Sequence, residues 1–282
     1  MIEVINFIEK HPEIATNYVV SVKTGISASS VGNIRRRYIK KPEEREVHQL
    51  KGSYNWSKRN ICWSMDTMAI RFMGSWLYAT VLVEEASRLL LGYKLAARKM
   101  SVYARELLLT TIMETGIKPL VVKHDRGKEF ESIEFQEALR QEGITSLPSP
   151  GYYAPFNSIA ERSIRIIRKF TMPYELRYDA KLEEIERALA RAKRQINLEL
   201  PRKIFNGRTS YDIYQVRTDC EPQERERLLE EVYEEEELNG SDYSFDGKRL
   251  DRLREEVVDY LCKRNLCYVE YQVKKVIVKL TG

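Results

Sequence analysis

The chain has 282 residues, of which 43% are hydrophobic and 32% charged, a balance that suits a globular protein with one good-sized core and excludes a disordered chain. Its net charge of +5 hides a division: residues 221–237 hold nine Glu and two Arg, a net −7, which leaves +12 on the remainder. A basic body points to a polyanionic partner, and no apolar run reaches the ~20 residues that a membrane span needs.

The N-terminus, MIEVINFIEKHPE, lacks the basic start, apolar middle and small-residue cleavage site of a signal peptide, so a cytoplasmic protein is expected. In "VVSVKTGISASSVGNIRRRY" the order of residues predicts two helices joined at Gly25. Ser27 is expected to cap the second helix, with Val20, Ile26, Val31 and Ile34 inward and Ser21 at the crossing. Arg35, Arg36 and Arg37 close that helix, where they favour its dipole and can meet phosphates. The same pattern also describes an ordinary helical hairpin with a basic end. Residues 41–60 are polar and basic, contain Pro42 and Gly52, and read as a linker.

From Ile61 the pattern becomes strands. "ICWSMDTMAI" is apolar on both alternating faces except for Asp66, which marks a central strand with one isolated carboxylate. Gly74-Ser75 is a candidate hairpin turn, followed by strands "WLYATVLV" and "RLLLGYKLA". Ser101 is expected to cap a helix with Ala104, Leu107, Leu108 and Ile112 on one face, ended by Gly116. Residues 117–124 return as a fourth strand, parallel if the crossover is of the usual kind. A helix at 132–141, a short strand at 144–147, the loop "PSPGYYAPFN" and helices at 158–170 and 181–199 follow. The glutamate-rich stretch is expected to be a solvated helix; a helix at 248–262 and a strand in "VEYQVKKVIVKL" form a small α+β C-terminal appendage.

Three carboxylates occupy expensive positions. Asp66 lies inside a core strand, where an unpaired charge is costly. Asp125, in "KHDRGKEF", ends another buried strand, and Glu161 rides a helix off the centre of its apolar face. Taken singly, a strand-end Asp is ordinarily a cap or an ion-pair partner, and a helical Glu an ordinary surface residue. As a set they converge if the first and fourth strands are neighbours and the 158–170 helix crosses their ends. Hard oxygens without nearby Cys or His favour two Mg²⁺ or Mn²⁺ ions, the usual device for in-line phosphoryl transfer. Cys62, Cys220, Cys262 and Cys267 show no zinc-ligand spacing and read as reduced structural thiols. Arg165 and Arg168 stand four and seven residues past Glu161, on its side of the helix, and suit carboxylates or DNA phosphates. Tyr152 and Tyr153 suit base stacking or simple loop packing.

Together these stretches resemble the DDE transposases and retroviral-type integrases, from about Trp63 to Tyr214. "WSMDTMAI" is similar to the family's first-aspartate strand, "ASRLLLGYKL" to its third strand and "KHDRGKEF" to its second-aspartate motif. "APFNSIAERSIRIIRK" is similar to the glutamate helix, and "INLELPRKIFNGRTSYDIY" to the segment that closes bacterial insertion-sequence cores. The resemblance implies an α/β, RNase H-like mixed sheet flanked by helices, with Asp66, Asp125 and Glu161 as catalytic metal ligands. It implies DNA strand cleavage by water and attack of the freed 3′-OH on target DNA. The partners expected are double-stranded DNA, as element ends and as target, a second copy of the chain and a possible helper protein. Localisation would be cytoplasmic, at the nucleoid when DNA-bound. The domains expected are a helix-turn-helix over 1–40, a basic linker over 41–60, the catalytic core over 61–216 and the acidic helix with its appendage over 217–282. Two residues depart from the pattern: Arg126 replaces the usual Asn, and Ser158 the usual Gly. They motivate two other readings, a DNA-binding regulator with a degenerate site and a metal nuclease that does not join ends. Arg126 and Lys128 would then lie near a DNA backbone. No zinc-binding N-terminal module can be built from the His and Cys present, so the chain resembles bacterial transposases more than viral integrases.

Overall fold

Asp66 interrupts the middle strand of a five-stranded sheet. The computed structural model describes residues 2–11, 16–38, 44–150, 154–175, 177–238 and 247–279, which divide into two compact units: 1–51 with 272–282, and 52–271.

In the first unit α1 (Ile2–Lys10), α2 (Asn17–Thr24) and α3 (Ala28–Tyr38) bury Val4, Ile8, Val20 and Val31 together. Thr16 caps α2 by accepting from the Val19 amide at 3.2 Å, and Gly25 ends it at φ +69, a conformation that a Cβ would strain. Ser27 Oγ then accepts from Ser30 N, as a cap of α3 should. β1 (Glu44–Trp56) and β7 (Cys267–Lys279) form a two-stranded sheet, and the division between units falls inside both strands. The stretch read as a linker thus holds a strand, because its pairing partner lies near the other end of the chain.

The second unit is built on β2 (Cys62–Phe72), β3 (Ser75–Glu84), β4 (Leu89–Ala96), β5 (Val121–His124) and β6 (Thr145–Pro148), in the order β4-β3-β2-β5-β6. β2, β3 and β4 are antiparallel neighbours, whereas β2, β5 and β6 run parallel, so the sheet is mixed as the RNase H-like expectation requires. The parallel step is made by α4 (Ser101–Thr115), and α5 (Ile133–Gln141) carries the chain on to β6. Ser101 does not cap α4; Met100 occupies that position, and the Ser101 hydroxyl instead donates to Glu134 at 2.8 Å.

Alternation along β2 sends Trp63 and Met65 to one face and Cys62, Asp66, Met68 and Ile70 to the other. On the first face α4 and α5 bury Trp63, Met65, Leu82 and Val122. On the second, α6 (Ser158–Glu175) and α7 (Leu182–Arg194) bury Met68, Ile70, Val81 and Leu90. A π-helical turn at Gln195–Glu199 extends α7, and Asn197 there pairs with both backbone groups of Leu90 on the edge strand. α8 (Ser210–Val216) and α9 (Gln223–Leu238) precede α10 (Gly247–Lys263). Val257, Tyr260 and Leu261 of α10 share a core with Cys62, Val121 and Leu147. The C-terminal α+β region therefore supplies part of the cover over the sheet.

Candidate active site

The parallel register explains why two aspartates meet. Cys62 pairs with Val121 and Met65 with His124, so the next step of each strand sets Asp66 beside Asp125. Asp66 Oδ1 accepts from the Thr67 amide at 2.7 Å. Its carboxyl is nevertheless pushed up to about 7, first by burial, then by the negative charge of Asp125 and, more weakly, of Glu161. Asp66 thus feels the negative charge of both Asp125 and Glu161.

Asp125 is held by its own turn. Its Oδ1 accepts from Gly127 N at 3.0 Å, and a Cβ at Gly127 would lie 2.9 Å from that oxygen and 2.7 Å from Glu129 Oε2, so a side chain there would displace both carboxylates. His124 Nδ1 donates to the Asp125 carbonyl at 2.6 Å, and its Nε2 is 2.9 Å from the Ser146 hydroxyl. Burial keeps this imidazole neutral, with its pKa down to about 4, which suits a structural brace. Arg126 Nε donates to the Ser149 carbonyl at 2.9 Å, tying the turn to the loop after β6.

Glu161 reaches the same face from the first turn of α6. A 3₁₀ turn, Ala154–Asn157, leads into that helix, and Asn157 Nδ2 donates to the Met65 carbonyl at 2.9 Å. One side-chain bond thus docks the start of α6 against β2, one residue from Asp66. The other amide atom, Asn157 Oδ1, is buried without a hydrogen-bond partner.

Lys99, in the loop between β4 and α4, completes the surroundings. It pairs with the buried Glu129 at 2.8 Å. Burial works against its charge, but the bond to Glu129 and the carboxylates of Glu129, Asp125 and Asp66 hold its pKa above the ordinary value. Nothing in the local sequence marks Lys99. Asn157 stands within the recognised glutamate-helix motif, yet its tethering role needs the fold to be seen.

The remaining expected residues divide by place. Lys128, Arg165 and Arg168 are exposed, the last two on α6 beyond Glu161. Arg35, Arg36 and Arg37 lie in the last turns of α3, with side chains outside the described set, and Tyr152 and Tyr153 fall outside the described residues.

The donor set is one of hard oxygens: three carboxylates under mutual repulsion beside an unpartnered amide oxygen. Its chemistry fits Mg²⁺ or Mn²⁺. Among the described residues no three His, Cys, Asp or Glu stand close enough together to hold a metal ion.

Residues 57–153 match the family described as integrase core domain. A chain of the simian T-cell lymphotropic virus intasome in complex with PP2A regulatory subunit B56 gamma is similar in fold at a TM-score of 0.53 and 18% identity, covering 76% of this chain and 78% of that one. The HTLV-2 integrase catalytic core in complex with magnesium gives 0.45 at 22% identity, over 55% of this chain and 96% of its own. The BIV integrase core gives 0.43 at 20%, over 55% and 94%. No curated protein matches the chain.

Proposed function

Taking as premise that residues 57–153 match the integrase core domain family, we propose that this chain is a DNA transposase or integrase that cuts DNA strands and joins the freed 3′-OH to target DNA. The observation that carries the reading is the set on one face of the sheet: Asp66 inside β2, Asp125 beside it at the end of β5, and Glu161 on the helix that Asn157 docks to β2.

In this reading Asp66, Asp125 and Glu161 hold two Mg²⁺ or Mn²⁺ ions. Ions held by these three carboxylates would supply activation of the attacking oxygen and stabilisation of the leaving one, so that no covalent protein nucleophile would be needed. The chain's own work is positional. The sheet register fixes the two aspartates side by side, the Gly127 turn aims Asp125, and the Asn157 tether sets how far Glu161 stands from them. Lys99, held by Glu129, offsets part of the negative charge. Lys128, Arg165 and Arg168 are exposed and are assigned to gripping phosphates, Arg126 ties its turn to Ser149, and Tyr152 and Tyr153 are assigned to base stacking. Residues 1–40, with Arg35, Arg36 and Arg37, are assigned to binding element ends, 41–60 to the connection, 61–216 to catalysis and 217–282 to support of the core. The protein would act in the cytoplasm at the nucleoid as a homo-oligomer; the related HTLV-2 core is described in dimeric and trimeric forms.

The experiment is incubation of the purified chain with Mg²⁺ or Mn²⁺ and labelled DNA carrying the flanking ends of its own locus. End-specific nicking and joining, lost in Glu161→Gln, supports the reading. Binding without either product from folded, metal-supplied protein removes it. One observation favours a second reading, a DNA-binding regulator: the described carboxylates do not form a closed ligand cluster. Calorimetry with Mn²⁺ separates the two, since a regulator would take up no metal below about millimolar concentration, the weak end of protein sites for hard cations.

A further inference from the structure

Arg202 is only 8% exposed, and its Nε has no hydrogen-bond partner. Its other contact is weak, from Nη2 to the Ile196 carbonyl at 3.5 Å. Burying a guanidinium without partners is costly, and this one cannot escape by losing its proton. Its backbone leaves little freedom to turn away. The Arg202 amide donates to Arg208 O at 3.0 Å, and its carbonyl accepts from Phe205 N and Gly207 N, at 2.9 and 3.0 Å.

Two more arginines come near it from other elements: Arg88 shares Phe205 with it, and Arg162 repels both. Arg88 ends the turn between β3 and β4 at φ +63, an uncommon conformation for a side chain of its size. That turn is pinned by the buried Glu84, which accepts from the amides of Asn60, Ala86 and Ser87. The Arg88 carbonyl accepts from Ser210 Oγ at 3.1 Å, and its guanidinium lies 5.7 Å from the centre of the Phe205 ring. Arg162 comes from α6, exposed, one residue after Glu161. The three charges oppose one another. Burial, then Arg162 and Arg202, bring Arg88 down to about 10, and burial with Arg162 lowers Arg202. Glu85 is the carboxylate that favours the Arg88 charge, and it is already taken by the Lys123 ammonium and the Trp56 indole. Among the described residues no ion pair is made by any of the three.

Three guanidinium groups from three elements, one of them buried with an unused donor, suit an anion with several oxygens. Planar forks match phosphate better than they match one carbonyl or hydroxyl. We infer that Arg88, Arg162 and Arg202 form a phosphate-binding site, occupied by a backbone phosphodiester of the DNA strand that reaches the carboxylates. The DNA source rests on the function proposed above; the site itself rests on the arginines. Because Glu161 and Arg162 are successive residues of one helix, a phosphate held here fixes the strand relative to the reacting centre.

The test uses the full chain and two probes. Denaturation midpoints are compared in inorganic phosphate and in chloride of equal ionic strength, and affinity for a fluorescent DNA duplex is followed against salt. Arg162→Gln is the main variant, because Arg162 is exposed and its replacement leaves the core untouched; Arg88→Gln is the second. Arg194→Gln, an exposed arginine paired with Glu199, controls for net charge. Phosphate is expected to raise the midpoint of the wild type and of Arg194→Gln, and to lose at least half that effect in the two site variants. DNA affinity should fall roughly 3- to 10-fold in Arg162→Gln, with the log–log salt slope smaller by about one, the loss of one phosphate contact. A phosphate effect lost in the variants with DNA binding unchanged keeps the site and assigns it free phosphate. A wild type that binds no DNA but keeps the phosphate effect removes the functional reading and leaves the site standing. Equal behaviour of wild type and both variants with both probes overturns the site.

Discussion

Glu161 and Arg162 are neighbours on α6, yet each bears on a cluster of its own sign: Glu161 on Asp66 and Asp125, Arg162 on Arg88 and Arg202. The fold handles charge differently elsewhere. Lys123 and Glu85 are both buried and neutralise each other, and Glu224 gathers Arg264, Arg227 and the Tyr260 hydroxyl. Buried charge that is balanced within the chain supports the fold. Buried charge set against its own kind weakens the fold, and that cost is repaid when a ligand of opposite sign binds. On the proposed function, the two clusters that meet at α6 would suit one substrate, a polyanion accompanied by cations.

The sharpest break in that contrast is Asp66→Asn. Strand transfer should drop by at least about 10²–10³-fold, the scale for losing one charge-stabilising group, while DNA binding persists. Stability should move the opposite way. The folded-state pKa of about 7 lies above the unfolded value, so the folded protein holds the proton more tightly. The native state is therefore least burdened below pH 4, loses stability as pH rises toward 7, and carries the full cost above it. At pH 8 without metal, Asp66→Asn should be more stable than wild type by on the order of 2–4 kcal/mol in urea unfolding, and the gain should vanish at pH 4. Parallel pH profiles would remove the like-charge account.

Asn157→Ala tests positioning rather than charge. It deletes the bond to the Met65 carbonyl and should cost about 1–3 kcal/mol of stability, with a loss of strand-transfer rate at unchanged DNA Kd. A fall in affinity with an unchanged rate would contradict the tether. Lys99→Met sharpens the comparison from outside the carboxylate set. It strands the buried Glu129 carboxylate at a cost of about 1–3 kcal/mol and removes a cation that lowers the Asp66 pKa, so the pH-dependent loss of stability should shift to higher pH. A window that stays in place would separate Lys99 from the site. The smallest effect is expected at the balanced cluster. Glu224 is held down to about 2, chiefly by its hydrogen bond from Arg264, so its contribution is present above the ordinary glutamate range and is lost as pH falls through 2. Glu224→Gln should cost no more than about 1 kcal/mol at neutral pH, because Arg264 is partly exposed and salt screens the pair. A loss as large as that in Asn157→Ala would place this pair among the core supports of the fold.

The sequence made the sheet and the carboxylates visible because each has a local signature. An aspartate interrupting the run around Cys62–Ile70, another ending Leu120–His124, and the helical spacing after Ser158 need no partner to be seen. What stayed hidden depends on distant pairing. β1 is polar and carries a glycine, and only β7, some two hundred residues further along the chain, makes it a strand. Asn157 and Lys99 act through contacts with Met65 and Glu129 that no spacing rule reveals. Ser101 showed the right residue type one position late, since the cap falls at Met100 and the hydroxyl finds Glu134. The arginines at 88, 162 and 202 come from a turn, a helix and a loop, so their cluster exists only after folding.

The cover that α10 gives the sheet bears on how the chain can be cut. A fragment stopped after α8 would lose Val257, Tyr260 and Leu261 and bare Cys62, Val121 and Leu147 to water. Such a fragment, although it holds all three carboxylates, should aggregate on expression, whereas one running to the end of α10 should remain dispersed. The smallest piece of this protein that stays dispersed is thus set by the apolar cover of its sheet, well beyond the last of the three carboxylates.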